Sequence, residues 1–171
     1  DWLDNKAEKG VQYSYIVDGA NVAYHRQNFD GGKFSFRQVE LVVDTLRKMM
    51  ASDEIEHGNV LVLLPYPYAQ KVVPNSSRHR RGRRIEYLSP QELAVLERFE
   101  KEKMLYVVPQ GGNDDWFWMY ATVHKLRTSR AYCITNDLMR DHRQAFAGES
   151  ARIFERWRAS TIIHFDFSRA V

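Results

Sequence analysis

The chain contains one cysteine, Cys133, among its 171 residues. A lone thiol excludes an intramolecular disulfide, a four-cysteine zinc site and a redox pair, and it fits a reducing compartment or indifference to redox. Proline and glycine are sparse at five and nine, so a low-complexity or disordered chain is not expected. No apolar run approaches the roughly 18 residues that a membrane helix needs, which predicts a soluble chain with no membrane partner. A GxSxG elbow, a P-loop and a GxGxxG turn are all absent, which argues against the serine-nucleophile, nucleoside-triphosphate and dinucleotide readings. The opening DWLDNKAEKG is polar and acidic rather than signal-like.

What is present is ordinary globular material, 44% hydrophobic and 27% charged, with 25 Lys+Arg against 22 Asp+Glu and a formal net charge of +3. One domain over 13–171, preceded by an extension over 1–12, is the expected organisation. The positive charge is concentrated: Arg78, Arg80, Arg81, Arg83 and Arg84 fall within the seven residues RHRRGRR. Such a block reads either as a solvated loop or as a phosphate-binding one, and a nuclear-localisation reading uses the same residues.

Apolar patterning sets out alternating strands and helices. Tyr13 to Val17 reads as a buried strand feeding a loop at Asp18-Gly19-Ala20-Asn21. Phe36, Val39, Val43, Leu46 and Met50 recur at helical spacing. Asn59 to Leu64 is nearly all apolar and stops at Pro65, as expected of a strand buried on both faces. Ser89 and Glu92 form a capping box around Pro90 for a helix running to about Lys103. Met104 to Val108 is a third strand, Asn113 caps a helix from Asp114 to Arg127, and Ala131 to Thr135 is a fourth strand. A short helix starting at Asn136 or Asp137, a helical turn or two at Ile153 to Arg158, and a strand at Thr161 to Phe165 complete the reading. The expected fold is α/β and Rossmann-like, a mainly parallel central sheet between two helical layers, with ligands beyond the carboxyl ends of the strands.

Asp18, Asp114, Asp115 and Asp137 all follow strands and therefore map to that one edge. Singly, each is explained as a turn or a cap. Together they repel one another unless a cation neutralises them. Hard oxygen donors without cysteine partners select Mg2+ or Mn2+ over zinc, as one or two ions. The i,i+4 spacing of Asp137 and Asp141 puts both on one helical face, with His142 beside them; the competing reading of Asp141 and His142 is a solvent-exposed face. Asn21 and Asn136 read either as supporting residues or as local backbone caps. Carboxylate-held magnesium suits in-line hydrolysis of a phosphodiester, leaving a 5′-phosphate and a 3′-hydroxyl.

The segments Ile16-Val17-Asp18-Gly19-Ala20-Asn21-Val22, Asn113-Asp114-Asp115-Trp116-Phe117-Trp118-Met119-Tyr120-Ala121, Thr135-Asn136-Asp137-Leu138-Met139-Arg140-Asp141-His142 and Phe154-Glu155-Arg156-Trp157, in that order, resemble the metallonuclease domain of protein-only RNase P, within the NYN branch of the PIN-like nucleases. The resemblance implies a PIN-like three-layer fold and magnesium-dependent removal of the 5′ leader of precursor tRNA. It implies that Asp18, Asp114, Asp115 and Asp137 bind metal, with Asp141 and His142 as catalytic or supporting residues. It also implies a mitochondrial or nuclear location. The stripe Trp116, Trp118 and Tyr120 is read as packing rather than base stacking. Members of that family carry a helical-repeat RNA-binding region and a zinc-bearing connector, and this sequence contains neither. An RNA-binding region or partner protein outside the chain is therefore expected.

Three function classes follow. The first is an endoribonuclease whose arginine block holds the RNA backbone. It acts on precursor tRNA or, as an alternative within the NYN group, on messenger or other organellar RNA. The second is a non-catalytic RNA-binding domain with a vestigial acidic site. The third, a phosphatase with an aspartate nucleophile, lacks the DxDx(T/V) arrangement around Asp18.

Overall fold

β1 (Tyr13–Asp18) is buried along its whole length, as a central strand between two helical layers must be. In the computed structural model, which describes residues 3–5, 11–27, 33–52, 59–73, 86–124 and 130–168, β1 is the middle strand of a five-stranded sheet. With β2 (Asn59–Pro65), β3 (Leu105–Val108), β4 (Tyr132–Ile134) and β5 (Ile162–Ile163), the order is β3-β2-β1-β4-β5. Every pairing is parallel. The chain builds outward from β1 through β2 to β3, then returns to β1's other side with β4. The switch point lies between β1 and β4, where an open parallel sheet leaves a crevice.

Alternation along the strands divides the core in two. Tyr15 and Val17, with Val60, Val62 and Leu64, face α1 (Gly19–Tyr24), α2 (Phe36–Ser52) and α3 (Pro90–Lys101). Ile16, Leu61, Leu63 and Cys133 face α4 (Asp114–Val123) and α6 (Gly148–Thr161), which contribute Trp118, Met119 and Phe154. A register shift between Tyr13 and Tyr15 puts Tyr13 on the face of Ile16, three residues away, as a bulge does. On α2 the buried set is Phe36, Val39, Val43, Leu46 and Met50, a helical stripe. The Ser89 and Glu92 capping box opens α3 with Pro90 at its first position.

Several boundaries differ from expectation. Gly19-Ala20-Asn21, read as part of a loop, opens the helix α1 because Asp18 caps it and because Val22 and Ala23 are fully buried against α2. The helix expected from Asn136 or Asp137 begins only at Arg140, as α5 (Arg140–Gln144). The turn or two expected at Ile153 runs to fourteen residues, and the last strand is two residues long. The α4 helix ends at Val123, and 125–129 lie outside the described residues. Within the expected extension, Leu3 is buried in the second core and Asp4 hydrogen-bonds His124 at 3.1 Å. No helix among the described residues is long and apolar enough to cross a membrane.

Gly19 is where the backbone of the first turn comes closest to the sheet. A Cβ there would lie 2.5 Å from a Leu64 methyl and 2.7 Å from the Leu63 carbonyl oxygen, and the carbonyl cannot swing aside. Gly19→Ala is expected to cost about 1–3 kcal/mol, the usual toll of overpacking. Urea denaturation checks this through the midpoint, and an unchanged midpoint would show that α1 shifts freely.

A candidate metal-dependent active site at the sheet switch point

Asp18 ends β1 and caps α1 at once. Its Oδ1 accepts the Asn21 backbone N–H at 3.1 Å, and its Oδ2 accepts the Thr135 hydroxyl at 2.8 Å. Thr135 follows β4, the strand beside β1, so this bond closes the crevice at the switch point. The same hydroxyl oxygen accepts the Asp137 N–H at 3.0 Å, and Asp137 Oδ1 accepts the Met139 N–H at 2.7 Å. Asn136 is held from both sides. Its N–H donates to Asn21 Oδ1 at 2.9 Å, while its side chain donates to the Phe165 carbonyl and accepts the Phe165 N–H at 2.8 and 3.2 Å. The competing readings of Asn21 and Asn136 thus merge, since their backbone bonds are what brace the crevice.

Asp114 and Asp115 arrive by a different route. β3 is at the sheet edge, two strands from β1, but α4 crosses back over β2, β1 and β4. Asn113 caps that helix by accepting the Asp115 N–H at 2.9 Å, so both carboxylates sit on its first turn. The result is a cleft of about 440 Å3 bordered by Asp18, Asp114, Asp115 and Asp137, with Asn21 and Asn136. An adjoining pocket shares Asp115 and Asp137 and adds Asp141 and His142. Every described residue singled out from the sequence for this site borders one of these two spaces. The expected facing of Asp137 and Asp141 on one helix is corrected: Asp137 lies in a turn held by Thr135, Met139 has a left-handed φ of 53°, and only Asp141 is in α5. Arg78, Arg80, Arg81, Arg83 and Arg84 lie outside the described residues.

Burial dominates the electrostatics. It pushes the Asp18 carboxyl up to about 7, helped by repulsion from Asp114 and Asp115 and opposed by the Asn21 and Thr135 hydrogen bonds. Asp114 is raised by burial and then by Asp137. Asp115 is raised by burial, Asp114 and Asp137, and lowered by His142, whose Nε2 stands 3.7 Å from its Oδ2. Cys133 is fully buried and its thiol is pushed well above the ordinary range, first by burial, so it is core rather than nucleophile.

Among the described residues no group of three or more His, Cys, Asp or Glu side chains is placed to hold a metal ion together. Magnesium does not demand one, because it commonly binds through one or two carboxylates and keeps several waters. The all-oxygen donor set and the mutual repulsion of its carboxylates fit such an ion. Sequence reasoning missed His25 and Arg26, which also border the cleft. His25 pairs with Asp166 at 3.0 Å and lies 3.3 Å from the Asn136 amide, and Arg26 joins the same Asp166. No spacing rule points to them, because the turn after α1 alone brings them round.

An all-parallel sheet with aspartates gathered at its switch point, joined to an aromatic Asp-Asp helix, defines a NYN/PIN-like nuclease domain. The protein-only RNase P family model matches residues 2–169, and the chain belongs to that family. It is 33% identical over 170 residues to proteinaceous RNase P 2 of Arabidopsis thaliana, covering 98% of this chain and 26% of that protein. It is 29% identical over 169 residues to the chloroplastic/mitochondrial proteinaceous RNase P 1 of the same plant, covering 99% of this chain and 24% of that protein. The crystal structure of nuclear proteinaceous RNase P 2 from A. thaliana superposes with a TM-score of 0.70 at 28% identity, covering 99% of this chain and 31% of the other. The chain spans about a quarter of the length of the curated relatives it matches.

The raised Asp18 carboxyl sets a pH dependence. Between the ordinary value of 3.8 and about 7, the folded chain retains a proton that the unfolded chain has released, so stability falls as pH rises through that window. Metal-free protein is predicted to melt at lower temperature at pH 8 than at pH 5. Asp18→Asn should remove part of that decline and melt a few degrees above the unaltered chain at pH 8. Thermal melts in EDTA measure both, and an identical pH slope in the variant would contradict the assignment.

Proposed function

We propose that the domain is a metal-dependent endoribonuclease of the RNase P type, removing the 5′ leader of precursor tRNA. The observation that carries the reading is the convergence of Asp18, Asp114, Asp115 and Asp137 on one cleft in a chain of the protein-only RNase P family. The relatives are named for RNase P activity. Mg2+ or Mn2+, as one or two ions, would each be held by one or two carboxylates from among Asp18, Asp114, Asp115 and Asp137 together with waters, and would acidify water and stabilise charge on a phosphoryl oxygen.

The chain's own residues set the geometry. Asp18 is fixed by Thr135 and the Asn21 N–H, so its carboxylate cannot rotate away. The Asp137 carboxylate, which borders the cleft, is tied to its own turn through the Met139 N–H. His142 is buried beside Asp115 and lowers its proton affinity. Water adds in line to phosphorus and the P–O3′ bond breaks, giving a 5′-phosphate and a 3′-hydroxyl. The arginine block at 78–84 would hold the phosphate backbone, and an RNA-binding helical-repeat region or partner outside this chain would supply tRNA specificity. A mitochondrial or nuclear setting is in keeping with relatives described as nuclear and as chloroplastic/mitochondrial.

Cleavage of end-labelled precursor tRNA and of an unstructured RNA of equal length, each with magnesium or with EDTA, tests the reading. Magnesium-dependent cutting of the precursor at its mature 5′ end is the expected result. Equal cutting of the unstructured RNA would place all substrate choice outside this chain, and metal-independent cutting or none would overturn the reading. Asp115→Asn and Asp137→Asn are each expected to slow cleavage about 100-fold or more while RNA affinity holds; equal loss of both would show that the aspartates serve docking. Replacing Arg80, Arg81, Arg83 and Arg84 with Ala should weaken binding and flatten its salt dependence by roughly 0.7–0.9 in log–log slope per lost phosphate contact. An unchanged slope would remove the arginine block from the interface.

A further inference from the structure

The aromatic stripe of α4 divides in a way that packing alone does not require. Trp118 is fully buried, as a core reading expects, whereas Trp116 is 50% and Tyr120 41% exposed. Residues 116 and 120 share one helical face, and 118 lies about 200° away. The outward face therefore presents two aromatic rings beside the carboxylates. Trp116 directly follows Asp115, and its indole meets the His142 ring edge to face, with centroids 5.0 Å apart. His142 in turn stands 3.7 Å from the Asp115 carboxylate. The acidic cleft and the exposed indole are thus separated by one side chain.

Behind Trp116 lies an apolar groove between α4 and α6, walled by Tyr120, Val123, Phe146, Ile153 and Trp157. Its walls are mostly aromatic and aliphatic side chains, and Trp116, next to Asp115 in the chain, is among them. Arg140 borders the adjoining pocket. An exposed ring and an arginine beside a proposed phosphodiester site are elements of a single-strand nucleic-acid platform, in which bases stack on rings and cations follow the backbone.

We propose that Trp116 is the stacking seat for the nucleobase that borders the scissile phosphate, with the groove taking the rest of that base's apolar surface. The occupant is RNA because Trp116, which lines the groove, touches the His142 ring, and His142 stands beside the Asp115 carboxylate of the proposed phosphodiester site. Trp116 is a positioning residue: it holds the nucleotide so that the adjacent phosphate lies over the aspartates. The proposal rests on the nuclease reading and adds to it the group that sets the register of the cut.

The test pairs a protein change with a substrate change. Single-turnover cleavage is measured for the unaltered chain, Trp116→Ala and Trp116→Phe on an intact precursor tRNA and on precursors carrying an abasic nucleotide on either side of the cut bond. Trp116→Ala is expected to slow cleavage of the intact RNA roughly tenfold, as loss of one base–aromatic stack does. An abasic nucleotide on one side should slow the unaltered chain by a similar factor, the two changes together should do no more than either alone, and Trp116→Phe should recover most of the rate. Equal slowing of intact and abasic RNAs by Trp116→Ala would mean that the indole merely supports His142, and no slowing would assign the groove to another partner; both overturn the proposal. Failure of the unaltered chain to cut any of these RNAs would instead overturn the nuclease reading, and this proposal with it.

Discussion

A carboxylate taken out of water is costly unless something shares its charge, and Asp18 is taken almost entirely out of water at the end of the central strand. The surrounding structure does not relieve that cost with a basic side chain. It supplies two hydrogen bonds, from the Asn21 N–H and the Thr135 hydroxyl, and then places Asp114 and Asp115 where they repel it further. A fold does not gain stability from such a grouping. The strain makes physical sense if the site is completed by a cation, which would offset the repulsion between these carboxylates.

The topology explains how residues about 120 positions apart come to share that cleft. β1 and β4 are adjacent, so Asp18 and the turn after Thr135 meet directly. Asp114 and Asp115 follow an edge strand, and only the return of α4 over the sheet brings them inward. The buried face of that helix, with Trp118 and Met119 in the second core, therefore fixes where the acidic first turn points. The same helix leaves Trp116 outward, so one element anchors the core, carries two carboxylates and exposes an aromatic ring.

Much of this was legible in the sequence, for identifiable reasons. Strands buried on both faces are short continuous apolar runs, and β1 and β2 read that way. The capping box at Ser89 and the Asn113 cap are local chemistry that tertiary context left intact. The aspartates could be placed at one edge because parallel strands share their carboxyl ends. The six-residue α1 was missed because it is too short to show a period. The register of Asp137 with Asp141 failed because side-chain bonds from Thr135 and Asp137 hold a turn where periodicity suggested a helix. His25 left no sequence signal, and the division between Trp116 and Trp118 depended on which face of α4 met the sheet.

The account turns on the charge state of Asp18, and carboxyl-carbon NMR titration of the metal-free chain, repeated with saturating Mg2+, reads it directly. The account predicts that Asp18 titrates at about 7 without metal and falls to or below the ordinary carboxylate range when magnesium is present, with Asp114 and Asp115 moving in the same direction. An Asp18 that titrates in the ordinary range without metal, or one that magnesium leaves unmoved, would contradict it.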